Sequence, residues 1–370
     1  MLRGREFGIL AGATLCAVMP LTAQTRVKLQ RNVGASPLQA AIAELTVPAR
    51  MKAAQQRLWL AGQPAVPLLA AEIERGGAGE AAARYVLEQL GCEAAAAVPV
   101  LQRILADPET KLSRRARVAA TLAKIDGPPI ILLPLYVDDA VLELDLDGHE
   151  RRRVAVESPW GAWPMPDDHL GVLSFAKGRV LRSDWQGQQE TMRTLEDASG
   201  SAVPLDELFA GDLVFTTWKD RGQLICRDAE GKDLWQRDVD AVRVERDFGD
   251  ELIVVTRANP RIVWFSREGK EVRSLALSES CHNVQPLAGG GYLVSCNTPK
   301  VIELGPDGSE LRHFVVDADV NDIVRLHDGR TLVSTEKQLI MLDAKGDELW
   351  SKKTGFGGPL FVRHPAREAR

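Results

Sequence analysis

The chain has 370 residues, of which 45% are apolar and 26% charged, with 46 Lys+Arg against 51 Asp+Glu. That composition excludes a disordered or collagenous chain and leaves room for two or more domains with real cores. The charge is uneven. Residues 24–126 carry 14 basic against 9 acidic residues, whereas residues 127–370 carry 30 against 41. So acidic a second part argues against a nucleic-acid partner, because phosphate binding needs a basic face.

In chain order, Arg3 and Arg5 come first, Gly8 to Leu21 follow without a charge, and Leu21-Thr22-Ala23 offers a small-residue cleavage site before Gln24. This order reads as a secretory signal over residues 1–23 and implies a periplasmic or extracellular protein. An uncleaved anchor is the alternative. No later stretch is long and apolar enough to cross a bilayer, so no transmembrane segment is expected in the mature chain.

Residues 24–127 read as helical. Ala, Leu, Glu, Gln and Arg dominate, and apolar residues recur at three- and four-residue steps, as in Val98, Leu101 and Leu105. The segment repeats itself: Gly62, then Val66-Pro67, is echoed by Gly91, then Val98-Pro99, with the Val-Pro pairs 32 residues apart. A Gly that ends one helix and a Pro early in the next are stop and start signals. A period near 32 describes helix pairs that bury their apolar faces by stacking. These residues resemble short HEAT repeats, and the resemblance implies a protein-contacting surface. Arg114, Arg115 and Arg117 suit either an acidic partner or a solvated helix face.

From residue 128 the texture changes to short strand-like runs punctuated by turns. Six turns share one pattern, and their glycines, Gly148, Gly187, Gly231, Gly269, Gly308 and Gly346, are separated by 39, 44, 38, 39 and 38 residues. A period near 40 with about four strands per unit predicts a six-bladed β-propeller over residues 128–370. Leu234-Trp235 and Leu349-Trp350 suit packing between blades. The first blade lacks an inner strand. Residues 358–363 can supply it from the other end of the chain, a Velcro closure that leaves no open edge. Ile130 to Leu135 read either as the first strand or as the end of a third helix pair. The expected fold class is therefore an α + all-β multidomain chain, a HEAT-like stack followed by a six-bladed propeller.

Two family resemblances attach to the second part. The Asp-x-x-Gly-x-x-x-Trp turns look like the blades of PQQ-like quinoproteins, although the eight blades and adjacent cysteine pair usual there are missing. The runs His282-Asn283-Val284-Gln285-Pro286-Leu287 and Asn321 to Val333 look like arylsulfotransferase-type propellers. That likeness implies a central histidine as nucleophile or general base, which points to His282.

Inner strands of a propeller line its channel. Aligned by their hairpins, they put Trp160, Asp240, His282 and Asn321 at one position, and Gly161, Ala241, Asn283 and Asp322 at the next. This ring supports several readings: a ligand- or peptide-binding mouth with Trp160 and Trp163 stacking, an enzyme centred on His282, a cation site with Asp240 and Asp322 among its oxygens, or a set of structural caps. No cofactor is expected, and calcium is the ion those oxygens would suit. His149, His169, His313, His327 and His364 fall in turns or outer strands and read as surface residues. Of Cys92, Cys226, Cys281 and Cys296, the last two flank a glycine-rich turn and can pair as a disulfide. The favoured function is an exported, non-enzymatic protein that binds a protein or peptide. The alternative is a periplasmic hydrolase or arylsulfotransferase-like transferase acting at His282.

Overall fold

The computed structural model describes residues 35–175, 178–195, 202–204, 212–217, 222–287, 290–296, 298–355, 357–358 and 360–366. The expected signal segment, residues 1–23, lies outside them. Among the described residues no helix is long and apolar enough to cross a membrane.

The Val-Pro pairs start helices. Helix α1 spans Ala35–Glu44, α2 Pro48–Ala61, α3 Val66–Arg75, α4 Glu80–Leu90, α5 Val98–Ala106 and α6 Leu112–Ile125. Proline occupies the first turn of α2, α3 and α5, where no backbone N–H is needed. The helices pack as three successive pairs, with α1, α3 and α5 in one layer and α2, α4 and α6 in the other. Small side chains let the pairs approach: Ala41, Ala54, Ala83 and Ala97 are fully buried.

Four-stranded antiparallel sheets then follow one another around a ring. In the first blade β1 (Ile130–Leu135), β2 (Ala140–Leu144) and β3 (Glu150–Ala155) are joined by β24 (Phe361–Arg363). Ile130 to Leu135 thus form a strand, buried along its whole length. The second blade is β4 (Pro159–Met165), β5 (His169–Ser174), β6 (Arg179–Ser183) and β7 (Gln189–Thr194). The third is β8 (Ala202–Pro204), β9 (Leu213–Thr217), β10 (Gln223–Arg227) and β11 (Asp233–Asp238). The fourth is β12 (Ala241–Arg246), β13 (Leu252–Thr256), β14 (Arg261–Phe265) and β15 (Glu271–Ala276). The fifth is β16 (Cys281–Pro286), β17 (Tyr292–Cys296), β18 (Lys300–Leu304) and β19 (Glu310–Val315). The sixth is β20 (Val320–Arg325), β21 (Thr331–Thr335), β22 (Gln338–Leu342) and β23 (Glu348–Lys353). The Velcro closure is present: β24 pairs antiparallel with β1, with Ile131 opposite Val362.

The recurrent turn glycines serve two purposes. Each has positive φ, from 73° at Gly269 to 100° at Gly346, a region costly for other residues. Four of them also lie where a Cβ would collide with the outer strand of the preceding blade: Gly269 with Trp235, Gly308 with Leu275, Gly346 with Phe314 and Gly148 with Trp350. Trp350 bridges the sixth blade to the first, its indole N–H donating to Leu146 O at 3.0 Å. The tryptophans of the two Leu-Trp pairs thus pack between blades, whereas Leu234 and Leu349 are exposed.

The helices are not a separate lobe. Phe248, at the β12–β13 turn, is buried in the helical core against Trp59 and Tyr85, with ring centroids 5.2 and 5.5 Å away. Lys52 of α2 reaches Asp247 and Glu251 on either side of that turn, at 2.6 and 2.5 Å. Arg363 of β24 donates to the carbonyls of Ala123 and Lys124, capping the end of α6 with a positive charge. Gly91 lets the chain after β24 lie against α4, where Cys92 N donates to His364 O at 3.0 Å.

Candidate functional site

The α2, α4 and α6 layer lies over one mouth of the propeller channel and borders a partly open chamber of about 600 Å3. Its roof is Trp59, Tyr85, Gln89, Ala120 and Lys124; its walls include Trp163, Met165, Phe248 and Pro286 from the inner strands and their turns. The size is that of a small-molecule site.

The floor is polar. Ladder register places Gly161, Arg243, Asn283 and Asp322 at equivalent positions, each just past a bulge in its inner strand. Asn283 Nδ2 donates to Asp322 Oδ1, and Arg243 lies 3.4 Å from the same oxygen. Leu360 N, leading into β24, donates to Asp322 Oδ2 at 2.5 Å. One carboxylate therefore ties the fourth, fifth and sixth blades to the closing strand. Burial pushes the Asp322 carboxyl up to about 6, against the opposing pull of Arg243. For Arg243 burial acts to lower the pKa, but the carboxylates of Asp322 and Glu245 more than offset it, and the guanidinium stays charged.

The chamber's other charges are matched as well. Lys124 meets Glu88 at 2.6 Å, Arg243 meets Glu245 at 2.7 Å, and Arg246 meets Asp250 at 3.0 Å. Burial works against the charged form of Glu88, but Lys124 and the Thr121 hydroxyl hold its carboxyl below the usual range. In one corner the His327 and His364 rings stack at 4.2 Å, and His327 Nδ1 lies 3.2 Å from Glu93 Oε1.

Several sequence expectations change position. Asp240 is outside the ring: it sits at φ 45° in the turn before β12, its carboxylate accepting from Ala258 N at 2.6 Å. The position aligned with Asn283 and Asp322 belongs to Arg243, and Ala241 lies two residues before it. The cause is loop length. Two residues join β11 to β12, where four join β15 to β16 and β19 to β20. With a guanidinium beside Asp322 and Asp240 elsewhere, these residues do not make a calcium site.

Trp160 and Trp163, expected to stack on a ligand at one mouth, do not both line the chamber. Trp163 lines the chamber, whereas Trp160 packs with Tyr136 and Phe175 at 6.0 and 5.4 Å. That cluster is at the opposite mouth, since β1 starts beside α6 and ends at Tyr136. His282 and Asn321 share the register of Trp160; both are half-buried, and neither lines the chamber. His327 and His364, read as surface residues, face inward instead. Sequence reasoning missed Arg243, Phe248, Tyr85 and Trp59. The Phe248-Gly249-Asp250 turn was the available signal, a bulky aromatic where a polar hairpin residue belongs.

The chain is thus a six-bladed propeller with a helical roof. No family model and no curated protein matches it. Among solved structures it is similar to a chain of the nidogen/laminin complex, at 11% identity over 65% of this chain and 99% of that one, with a TM-score of 0.50. It is also similar to a protein of unknown function from Bacteroides caccae, at 12% identity over 64% of this chain and 99% of that one, with a TM-score of 0.49. A streptogramin B lyase matches at 11% identity over 54% of this chain and 68% of that one, with a TM-score of 0.38. At 11% identity the likeness to the nidogen/laminin chain is one of fold alone.

Proposed function

We propose that this is a non-enzymatic binding protein that holds a small, amphipathic, overall neutral ligand in the chamber between the helical layer and the propeller. The observation that carries this reading is a chamber of about 600 Å3 with aromatic, methionine and proline walls and its charges already matched in pairs. Matched charges leave no strong preference for a charged ligand, and the apolar walls favour burial of carbon surface. The helical layer that the repeat resemblance assigned to a protein partner is turned onto the propeller, so the binding role moves inward. A short peptide fits the same space; a folded partner does not. Export belongs to this reading and rests on the basic, apolar and small-residue order of residues 1–23.

A transferase or hydrolase centred on His282 is the weaker reading, because that side chain does not line the chamber. Titration with N-phenyl-1-naphthylamine, a neutral apolar fluorophore, tests the proposal. Wild type should bind it saturably at one site, and Ala120→Trp, which fills the space from the roof, should abolish binding without lowering the melting temperature. Equal binding by both proteins would place the probe elsewhere and defeat the proposal.

A further inference from the structure

Cys281 opens β16, Cys296 closes β17, and the register sets them directly opposite each other. Their sulfurs lie 2.7 Å apart in the apolar layer between the fourth and fifth blades, which also holds Ile253, Trp264 and Ile302. Both cysteines are unbridged and buried. The other two described cysteines are elsewhere: Cys226 packs in β10 between the third and fourth blades, and Cys92 follows α4.

We propose that Cys281 and Cys296 form a disulfide that closes while the chain folds and fixes the hairpin presenting Asn283 to the chamber floor. Two thiols become one S–S bond. Their two protons and two electrons pass to an external disulfide such as oxidised glutathione, which leaves as two thiols. The timing follows from access. Thiolate is the attacking species. In the finished fold, the hydrogen bond with Cys296 and then burial hold the Cys281 thiol far above its ordinary range. Access is narrow as well: Cys296 is fully buried, and Cys281 is only 2% exposed, at the end of a cleft lined by Leu277, Glu279 and Leu304. In an isolated β16–β17 hairpin, by contrast, the two face each other while still exposed. The bond would close the loop between 281 and 296, and so restrict the unfolded chain.

The test uses the full wild-type chain, so no substitution has to fold. Reduced protein is unfolded in guanidinium and refolded either with oxidised glutathione or with reductant, then denatured, alkylated and digested with trypsin. Both cysteines fall on one peptide, residues 274–300. After oxidative refolding that peptide should be unalkylated and lighter by two hydrogens, with Cys92 and Cys226 alkylated. The melting temperature should exceed that of the reductant-refolded protein by about 5 °C. Oxidised glutathione added to folded, reduced protein should leave the peptide alkylated. A doubly alkylated or glutathionylated peptide after oxidative refolding would overturn the bond, and rapid closure in the folded protein would overturn its timing.

Discussion

Asp322 holds a carboxylate away from water, with both oxygens engaged by groups from other blades and from the segment leading into β24. Burial raises its pKa to about 6, above the value near 4 of an unfolded chain. The folded state therefore binds this proton more tightly. The stability it contributes is present in full below about pH 4 and is lost as the pH rises through about 6. Asp322→Asn removes this proton equilibrium. The melting temperature of Asp322→Asn relative to wild type should therefore rise steadily between pH 4 and pH 6.5; a constant difference would show that the carboxyl has the same pKa in the folded and unfolded chain. A second residue-scale test concerns Trp163, whose ring lies over Gly171 so closely that any Cβ there would overlap it. Gly171→Ala should displace the ring and weaken N-phenyl-1-naphthylamine binding at least tenfold, an effect read in the same titration. Sequence disclosed the polar ring in part: Asn283 and Asp322 came out of the repeat alignment, but Arg243 did not. A fixed repeat offset cannot register a connection shortened by two residues, so it lands on Asp240 and Ala241 instead of Val242 and Arg243.

At the scale of elements, the regular glycines announced six blades, because each turn needs positive φ wherever the chain lies in the ring. The second role of four of them, clearance for the preceding blade, was illegible because it depends on a contact with a side chain of another blade, distant in sequence. The closing strand was legible through a deficit, since the first blade had too few strands and the chain end had one to spare. Three ties converge on that end: the β1–β24 ladder, the Leu360–Asp322 hydrogen bond and the Arg363 cap on α6. Removing residues 356–370 exposes the β1 edge and strips Asp322 and α6 of these partners. The truncated chain should elute as aggregate in size-exclusion chromatography. A monomeric product with an unchanged circular dichroism spectrum would show that the ring closes without its final strand.

The molecule as a whole should behave as one cooperative unit, although its sequence divides into a basic helical part and an acidic strand part. Phe248 belongs by sequence to the propeller and by packing to the helical core; the Lys52 ion pairs fasten the same turn to α2, and the Arg363 cap joins the two parts at a second point. Sequence reading missed this union, because period and composition report how an element packs within its own repeat; the bulky aromatic of the Phe248-Gly249-Asp250 turn was its one trace. Calorimetry should therefore give a single unfolding transition. Phe248→Ala removes a ring buried against Trp59 and Tyr85, a change that typically costs about 3–5 kcal/mol. If the parts are coupled as the packing implies, the substitution lowers the melting temperature of the whole protein and the transition stays single. It should also weaken chamber binding, since the roof loses its anchor to the β12–β13 turn. A mutant thermogram that splits into a shifted peak and an unshifted one would instead mean that the helices and the propeller fold independently, with the chamber formed by docking of two finished domains.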